Sequence, residues 1–396
     1  MITKLRLYQF RNITSLELPI TKKSIVLYGE NGSGKTNILE AISLFSVGKG
    51  LRNDSAFNME NITSAPKSGW SSTITLNGDL KLQTNLEPQL DSSLKRTAKI
   101  QGDNIRSHMQ FSEWLHVLWI TPETDQLFLD APAKRRKFVD RFVYAKDKLH
   151  LKRVIKFESA TRQRLKLLKS QQKPNEEWLT AIEQTIAEEG VALAFARYHL
   201  LQDLSKFQPQ GKEEGILTSF TAKMDGPFED LLSMGSSLKI EDAFRQKLFD
   251  NRVRDKESGI TLFGPHRSDL NVTHHIKDMN AFQCSTGEQK ILLLAMIISF
   301  MESVCFNNEQ LTIFLLDDAM AHLDAHHRFV LFHRLIANQD KNFQAWFSGT
   351  DRYLFKDLEE NADFFYVPGL HQKCNRPNKC TLSLERREDP RNYILN

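Results

Sequence analysis

The chain has 396 residues, 40% of them hydrophobic and 26% charged, a balance that excludes disordered and fibrous classes and leaves room for two domains or one large, elaborated domain. Its formal charge of +4 permits a nucleic-acid partner without arguing for one, because a local basic cluster is what would count. The longest apolar run, "ILLLAMIISFM" from Ile291, falls short of the ~20 residues of a membrane span and reads as a buried core helix, which excludes a membrane role.

The opening segment "MITKLRLYQFRN" alternates polar and apolar residues and contains no apolar stretch of signal-peptide length. The cysteines, Cys284, Cys305, Cys374 and Cys380, are scattered, which predicts reduced thiols in a cytoplasmic protein. His371, Cys374 and Cys380 make half of a zinc site, but no second cysteine pair completes it.

In chain order, "KLRLYQF", "SLELPI" and "SIVLYG" read as strands, and the last is a short buried run feeding a glycine turn. That turn is Gly29-Glu30-Asn31-Gly32-Ser33-Gly34-Lys35-Thr36, a full match to G-x-x-x-x-G-K-[ST]. Apolar residues at Ile38, Ala41, Ile42 and Phe45 then mark a helix. The context fits a phosphate cradle. Glycines let backbone N–H groups converge on phosphate oxygens, and the helix N-terminus adds positive charge. Lys35 is expected on the β- and γ-phosphates of ATP and the Thr36 hydroxyl on Mg²⁺. Further strands are expected at "STITLNG" and "LKLQTNL".

The middle of the chain is helical. Val154, Phe157, Thr161, Leu165 and Leu168 step by three and four, and Trp178, Ile182, Ile186 and Leu193 do the same after a break at Pro174. Asn175 is a natural N-cap, with Glu176 and Glu177 suited to the positive helix end. A helical hairpin results, far too short for a long coiled coil. "FQPQGKEEG" reads as a loop. Strands return at "GITLFG", "DLNVTHH" and "LTIFLLDD". The fold class is therefore α/β, with mixed sheets around the helix after the phosphate loop. Residues 1–121 and 256–396 are expected to form one head and 122–255 an inserted helical arm.

Asp317 emerges at the end of an apolar strand, where a phosphate loop needs a metal-binding carboxylate. Asp318 follows and can orient or deprotonate an attacking water, unless it only caps the loop. "STGEQK", 285–290, precedes the apolar helix and could by itself be a simple N-cap. Basic residues cluster in "AKRRK" (Lys134, Arg135, Arg136, Lys137) and along the arm (Arg153, Arg162, Arg164, Lys166, Lys169), with Lys49 and Arg52 after the phosphate loop. They permit salt-sensitive phosphate contacts with DNA. Arg135 and Arg136 equally suit buried contacts.

With these pieces in place, the chain resembles the ABC-type ATPase heads of structural-maintenance and recombination proteins, and within them the RecF family. "STGEQK" resembles their signature, with Ser285, Gly287 and Gln289, and "AHLD", with His322 and Asp324, resembles their D-loop. "FRN", "NGSGKTNILEAI", "ITPETDQLFLDAPAKRRKFVD", "RQRLKLL", "GPHRSDL" and "FSGTD" resemble RecF-family stretches in order and spacing. Ser268 departs from that pattern, which usually has an acidic residue there, and Arg267 has no derivable role. The resemblance implies two heads clasping ATP, each phosphate loop facing the other copy's signature. It implies an ATPase without nuclease chemistry, binding duplex DNA at single-strand/double-strand junctions, and the shortness of Asp318 compared with a glutamate makes weak hydrolysis the expectation. It further implies work with RecR and RecO toward RecA loading. A transporter ATPase or another DNA-maintenance subunit is the alternative; the missing switch histidine and the helical arm oppose a transporter.

Overall fold

The structure is a computed structural model that describes residues 1–61, 68–89, 93–170, 175–208, 217–233, 235–306, 310–319, 323–338, 341–368 and 382–383. His322, His371, Cys374, Cys380, Pro174 and most of the expected "FQPQGKEEG" loop lie outside the described residues.

In chain order the elements are β1 (Ile2–Phe10), β2 (Ile13–Pro19), β3 (Ser24–Tyr28), α1 (Lys35–Ser43), β4 (Trp70–Leu76), β5 (Leu80–Pro88), β6 (Leu94–Ile100), β7 (Asp103–Asn104), β8 (Leu115–Ile120), α2 (Pro132–Lys146), α3 (His150–Leu168) and α4 (Glu176–Leu204). There follow β9 (Phe220–Asp225), α5 (Glu229–Leu232), α6 (Ser237–Asp250), α7 (Arg252–Ser258), β10 (Asp269–His274), β11 (Met279–Asn280), α8 (Thr286–Phe306), β12 (Leu311–Leu316), α9 (Ala325–Ala337), β13 (Phe343–Gly349), β14 (Ala362–Tyr366) and β15 (Leu382–Ser383).

The chain divides into two compact units, one made of Met1–Thr124 with the chain from Cys305 onward, the other of Asp125–Val304. In the first unit, a sheet of order β15-β2-β1-β4-β5-β6-β7 accompanies a sheet of order β14-β3-β13-β12-β8. The second sheet is parallel throughout, and its strands are nearly continuous apolar runs, as a sheet buried on both faces requires. Helix α1 is buried at Ile38, Leu39, Ala41 and Ile42 and shares one core with residues of both sheets. That packing fixes the start of α1, and with it the phosphate loop, against the ends of β3, β12 and β13.

The second unit holds the hairpin. Asn175 caps α4, its side-chain oxygen accepting the Trp178 N–H at 2.9 Å. Ile182, Ile186 and Leu193 are buried, whereas Trp178, which shares their periodicity, is exposed. The buried stripe starts instead at Leu179, the next residue. Gly190 lies where α4 meets Phe157 and Phe244, and a Cβ there would come within 2.8 Å of the Phe244 ring.

The structure corrects two expectations. "GITLFG" is not a strand. Gly259 ends α7 in the left-handed region (φ 73), Gly264 has φ 142, and Leu262 N–H is tied to the buried Asp255 carboxylate at 2.9 Å. "DLNVTHH" does form a strand, β10, but it pairs with β9 and β11 rather than with the head. Residues 256–304, expected in the C-terminal part of the head, accordingly pack with the helical segment. Helix α8 is long and apolar enough by composition to cross a membrane, but most of it is buried inside the protein.

Candidate nucleotide-binding site

The turn between β3 and α1 is shaped by glycine. Gly29 has φ 149, and a Cβ there would lie 2.3 Å from the Val367 carbonyl oxygen. Gly34 has φ 110, and its Cβ would lie 2.7 Å from the Asn12 amide. Gly32 also takes positive φ, with open space beside it. Side chains at the first two positions would push the loop out of register.

Asn12, from the "FRN" stretch, clamps this loop. Its Nδ2 donates to Ser33 O at 3.1 Å and its Oδ1 accepts from Asn37 Nδ2 at 2.8 Å. Arg11 beside it pairs with the buried Glu40 carboxylate at 2.7 Å and with Asp54 at 2.9 Å. Sequence reading used "FRN" only as a likeness. Its physical task is to hold the loop and the first turns of α1.

Lys35 is buried, and its ammonium donates to the carbonyls of Gly29 at 2.8 Å and Glu30 at 2.9 Å. Burial pulls its pKa down, and the carboxylates of Asp318 and Asp317 oppose that shift. Thr36 Oγ1 donates to Asp317 Oδ1 at 2.9 Å. Ser348 Oγ donates to the same oxygen at 2.7 Å. Burial raises the Asp317 pKa despite these two hydroxyls. Asp318 sits at φ 46, in the left-handed region. Its N–H donates to Ser348 Oγ at 2.8 Å, while its buried Oδ1 has no partner among the described residues.

Thus the structure brings Gly29, Glu30, Gly34, Lys35, Thr36, Asp317 and Asp318 together. A hydroxyl and a carboxylate are hard oxygen donors of the kind Mg²⁺ prefers beside phosphate oxygens. The raised Asp317 and the orphaned Asp318 oxygen both fit a site that gains from a cation and an ordered water. No cluster of His, Cys, Asp and Glu suited to another metal exists among the described residues.

The signature turn lies in the second unit. Ser285, Thr286 and Gly287 are exposed, and a Cβ on Gly287 would meet nothing within 4 Å. α8 begins at Thr286, earlier than expected. Gln289 is not on the open face of this turn. It is buried, and its amide donates to Ala281 O at 3.0 Å and Cys284 O at 3.1 Å. Glu288, which sequence reading missed, is the polar group at the turn. Its Oε2 accepts the Ser285 N–H at 2.9 Å and the Ser285 hydroxyl at 2.8 Å, and its other oxygen pairs with Lys277. Those bonds hold its pKa down to about 2. The signal was present as S-x-x-E, a capping box.

Asp324 caps α9, accepting the N–H groups of His326 and His327, each at 2.9 Å.

The basic candidates separate sharply. Arg164 is fully buried between Glu183 (2.8 Å), Asp255 (2.6 Å) and the Leu248 carbonyl, so it cannot reach DNA and is a core ion-pair residue. Arg135 makes a two-pronged pair with Asp269, each contact 2.7 Å, and Arg136 donates to Ser268 O at 2.6 Å. A few residues on, buried Asp140 receives Arg197 at 2.7 Å and His150 at 2.9 Å, and Arg197 also reaches Pro265 O at 2.9 Å. "KRRKFVD" and "GPHRSDL" are thus two sides of one arginine-carboxylate network. Arg267, in the same stretch, donates instead to the Thr261 carbonyl at 2.9 Å. Lys134 pairs with Asp130 at an exposed position, and Arg162 is exposed with a loose contact to Glu158 at 3.5 Å.

The family description "RecF/RecN/SMC N terminal domain" matches residues 1–372. The DNA replication and repair protein RecF of Allorhizobium ampelinum is 39% identical over 373 residues, covering 93% of this chain and 98% of that protein. The protein of the same name from Rhizobium rhizogenes is 37% identical over 369 residues, covering 92% and 96%. Two solved structures of the recombination mediator protein RecF in the RecFOR pathway share the fold. One, with ATP, superposes with a TM-score of 0.75 at 19% identity, covering 93% of this chain and 98% of that chain. The other, described as RecF-ATPrS, gives 0.76 at 19%, covering 93% and 96%.

Proposed function

The chain belongs to the RecF family, and from that premise we propose that it is an ATP-dependent DNA-binding protein of recombinational repair that dimerises on ATP. It binds duplex DNA near single-stranded gaps and acts in the cytoplasm with RecR and RecO to help RecA loading. The observation that carries the reading is the contrast between a phosphate loop completed by Lys35, Thr36, Asp317 and Asp318 and a signature turn whose Gly287 faces open space.

In this mechanism Lys35 exchanges its bonds to the Gly29 and Glu30 carbonyls for the β- and γ-phosphates. Thr36 and Asp317 would hold Mg²⁺, which neutralises charge on the bound phosphates. Asp318 orients or deprotonates water through its unpartnered oxygen. Ser285 and the start of α8 in a second copy supply donors to the γ-phosphate. Hydrolysis removes what those donors hold, and the pair separates. Turnover is slow and serves as a switch, and no nuclease chemistry is involved. DNA contacts fall on exposed cations such as Lys134 and Arg162 rather than on Arg164.

Fluorescence anisotropy with gapped duplex tests the proposal. Binding should be strongest with ATP, weaker with ADP, and should fall steeply with salt. Affinity that is identical with ATP, ADP and no nucleotide would overturn it.

A further inference from the structure

Ser348 is the penultimate residue of β13 and is fully buried. Its hydroxyl stands between the two neighbouring carboxylate residues of the site. The hydroxyl hydrogen goes to Asp317 Oδ1 at 2.7 Å, and a lone pair takes the Asp318 N–H at 2.8 Å. A hydroxyl has one hydrogen and two acceptor pairs, so these two contacts fix its orientation. The next residue, Gly349, accepts the Gly29 N–H at 3.2 Å, so the end of β13 holds both the phosphate loop and the carboxylate pair.

Two features show what this hydroxyl does. Asp317 Oδ1 is shared between Ser348 and Thr36. A cation held by Thr36 would use a lone pair of its hydroxyl, and the Ser348 contact is a second, independent hold on the same carboxylate oxygen. Asp318, meanwhile, has left-handed backbone, which aspartate tolerates better than most residues with a Cβ and which a local constraint stabilises. Its N–H bond to Ser348 supplies that constraint from the neighbouring strand.

We propose that Ser348 is a positioning residue for the cation-and-water half of the nucleotide site, aiming Asp317 and holding Asp318 through one hydroxyl. Its hydroxyl is engaged by the two aspartates rather than by the phosphate loop. Its loss should therefore leave metal-free nucleotide binding to the phosphate loop intact and weaken only what depends on the cation. This rests on the ATP reading given above.

The test uses the full chain and a fluorescent ATP analogue, measured first in EDTA and then with Mg²⁺ titrated in, comparing wild type with Ser348→Ala, Ser348→Cys and Ser348→Thr. Ser348→Ala and Ser348→Cys should raise the Mg²⁺ midpoint by about 10- to 100-fold, as loss of an outer-shell partner does. Their affinity in EDTA should stay within about twofold, below one hydrogen bond's worth. Ser348→Thr, which keeps the hydroxyl, should restore the midpoint. Should Ser348→Ala not fold, Ser348→Cys, close in volume, decides. An unshifted Mg²⁺ midpoint in the folded variants refutes the role of Ser348, as does an equal loss of affinity in EDTA. Failure of the wild-type chain to bind the analogue refutes the ATP reading itself.

Discussion

The phosphate loop and the signature turn are both glycine-containing turns that open onto a helix, yet they differ in how finished they are. At the loop, side chains at Gly29 and Gly34 would collide with Val367 and Asn12, Lys35 is buried, and the hydroxyls of Thr36 and Ser348 donate to Asp317. At the signature turn, Ser285 and Gly287 are exposed, and a Cβ on Gly287 would meet nothing within 4 Å among the described residues. Gly29 and Gly34 are required by their own fold, whereas nothing within this chain requires a glycine at 287 among the described residues. In the proposed mechanism the first site binds on its own and the open turn acts when a second copy arrives.

The largest expected effect breaks the finished site. Asp318→Ala should reduce ATP turnover by about 10²- to 10⁴-fold, the usual contribution of a positioned acid or base. ATP binding should be retained, as equilibrium titration would show. Unchanged steady-state turnover would remove Asp318 from the chemistry.

A second contrast separates committed from uncommitted arginines on the same helix. Arg164→Met leaves the buried Asp255 carboxylate without its arginine, while Glu183 keeps its pair with Arg252, and should cost about 3–5 kcal/mol in urea unfolding. Arg162→Ala should change stability by less than about 0.5 kcal/mol. If Arg162 meets DNA, its loss lowers affinity a few-fold and reduces the salt slope by about one.

His266 gives the pH dependence. Burial, with Arg267, Arg136 and Arg197 nearby, pushes its pKa down to about 4, so it remains neutral in the fold. Unfolded histidine takes up its proton near pH ~6.5. Between those values the unfolded chain binds more protons, so this stabilisation is full above the upper value and is lost as pH falls toward 4. Thermal melting between pH 7 and 4.5 should show the decline, and His266→Gln should flatten it. His108, also lowered to about 4, leaves a remaining slope in the variant.

The smallest effect sharpens the description of the open turn. Glu288→Ala removes the cap on Ser285 and the Lys277 pair. Melting should shift slightly downward while ATP affinity of the isolated chain stays the same.

Much of this was legible in residue order. The phosphate loop, Asp317 and the strands around them follow from local pattern, because burial and turn chemistry act within a few residues of each other. The arm hairpin was legible for the same reason, through Asn175 and the step of its apolar residues. What escaped depends on distant partners. Arg164 and Arg162 sit on one helix with the same charge, and only the packing of Glu183 and Asp255 tells them apart. Gln289 reads as a signature residue but turns inward, while Glu288 caps the turn. "DLNVTHH" alternates as a head strand would, but its hydrogen-bond partners lie in β9 and β11.

The claim that the open turn awaits a second copy is tested most directly by sedimentation velocity with Mg²⁺ and ATP or ADP, on wild type and Gly287→Arg. Open space at Gly287 means the substitution should fold and bind ATP as a monomer. Wild type should sediment as a dimer with ATP and a monomer with ADP, and Gly287→Arg as a monomer with both. A wild type that stays monomeric with ATP, or a Gly287→Arg variant that dimerises equally well, would contradict the account.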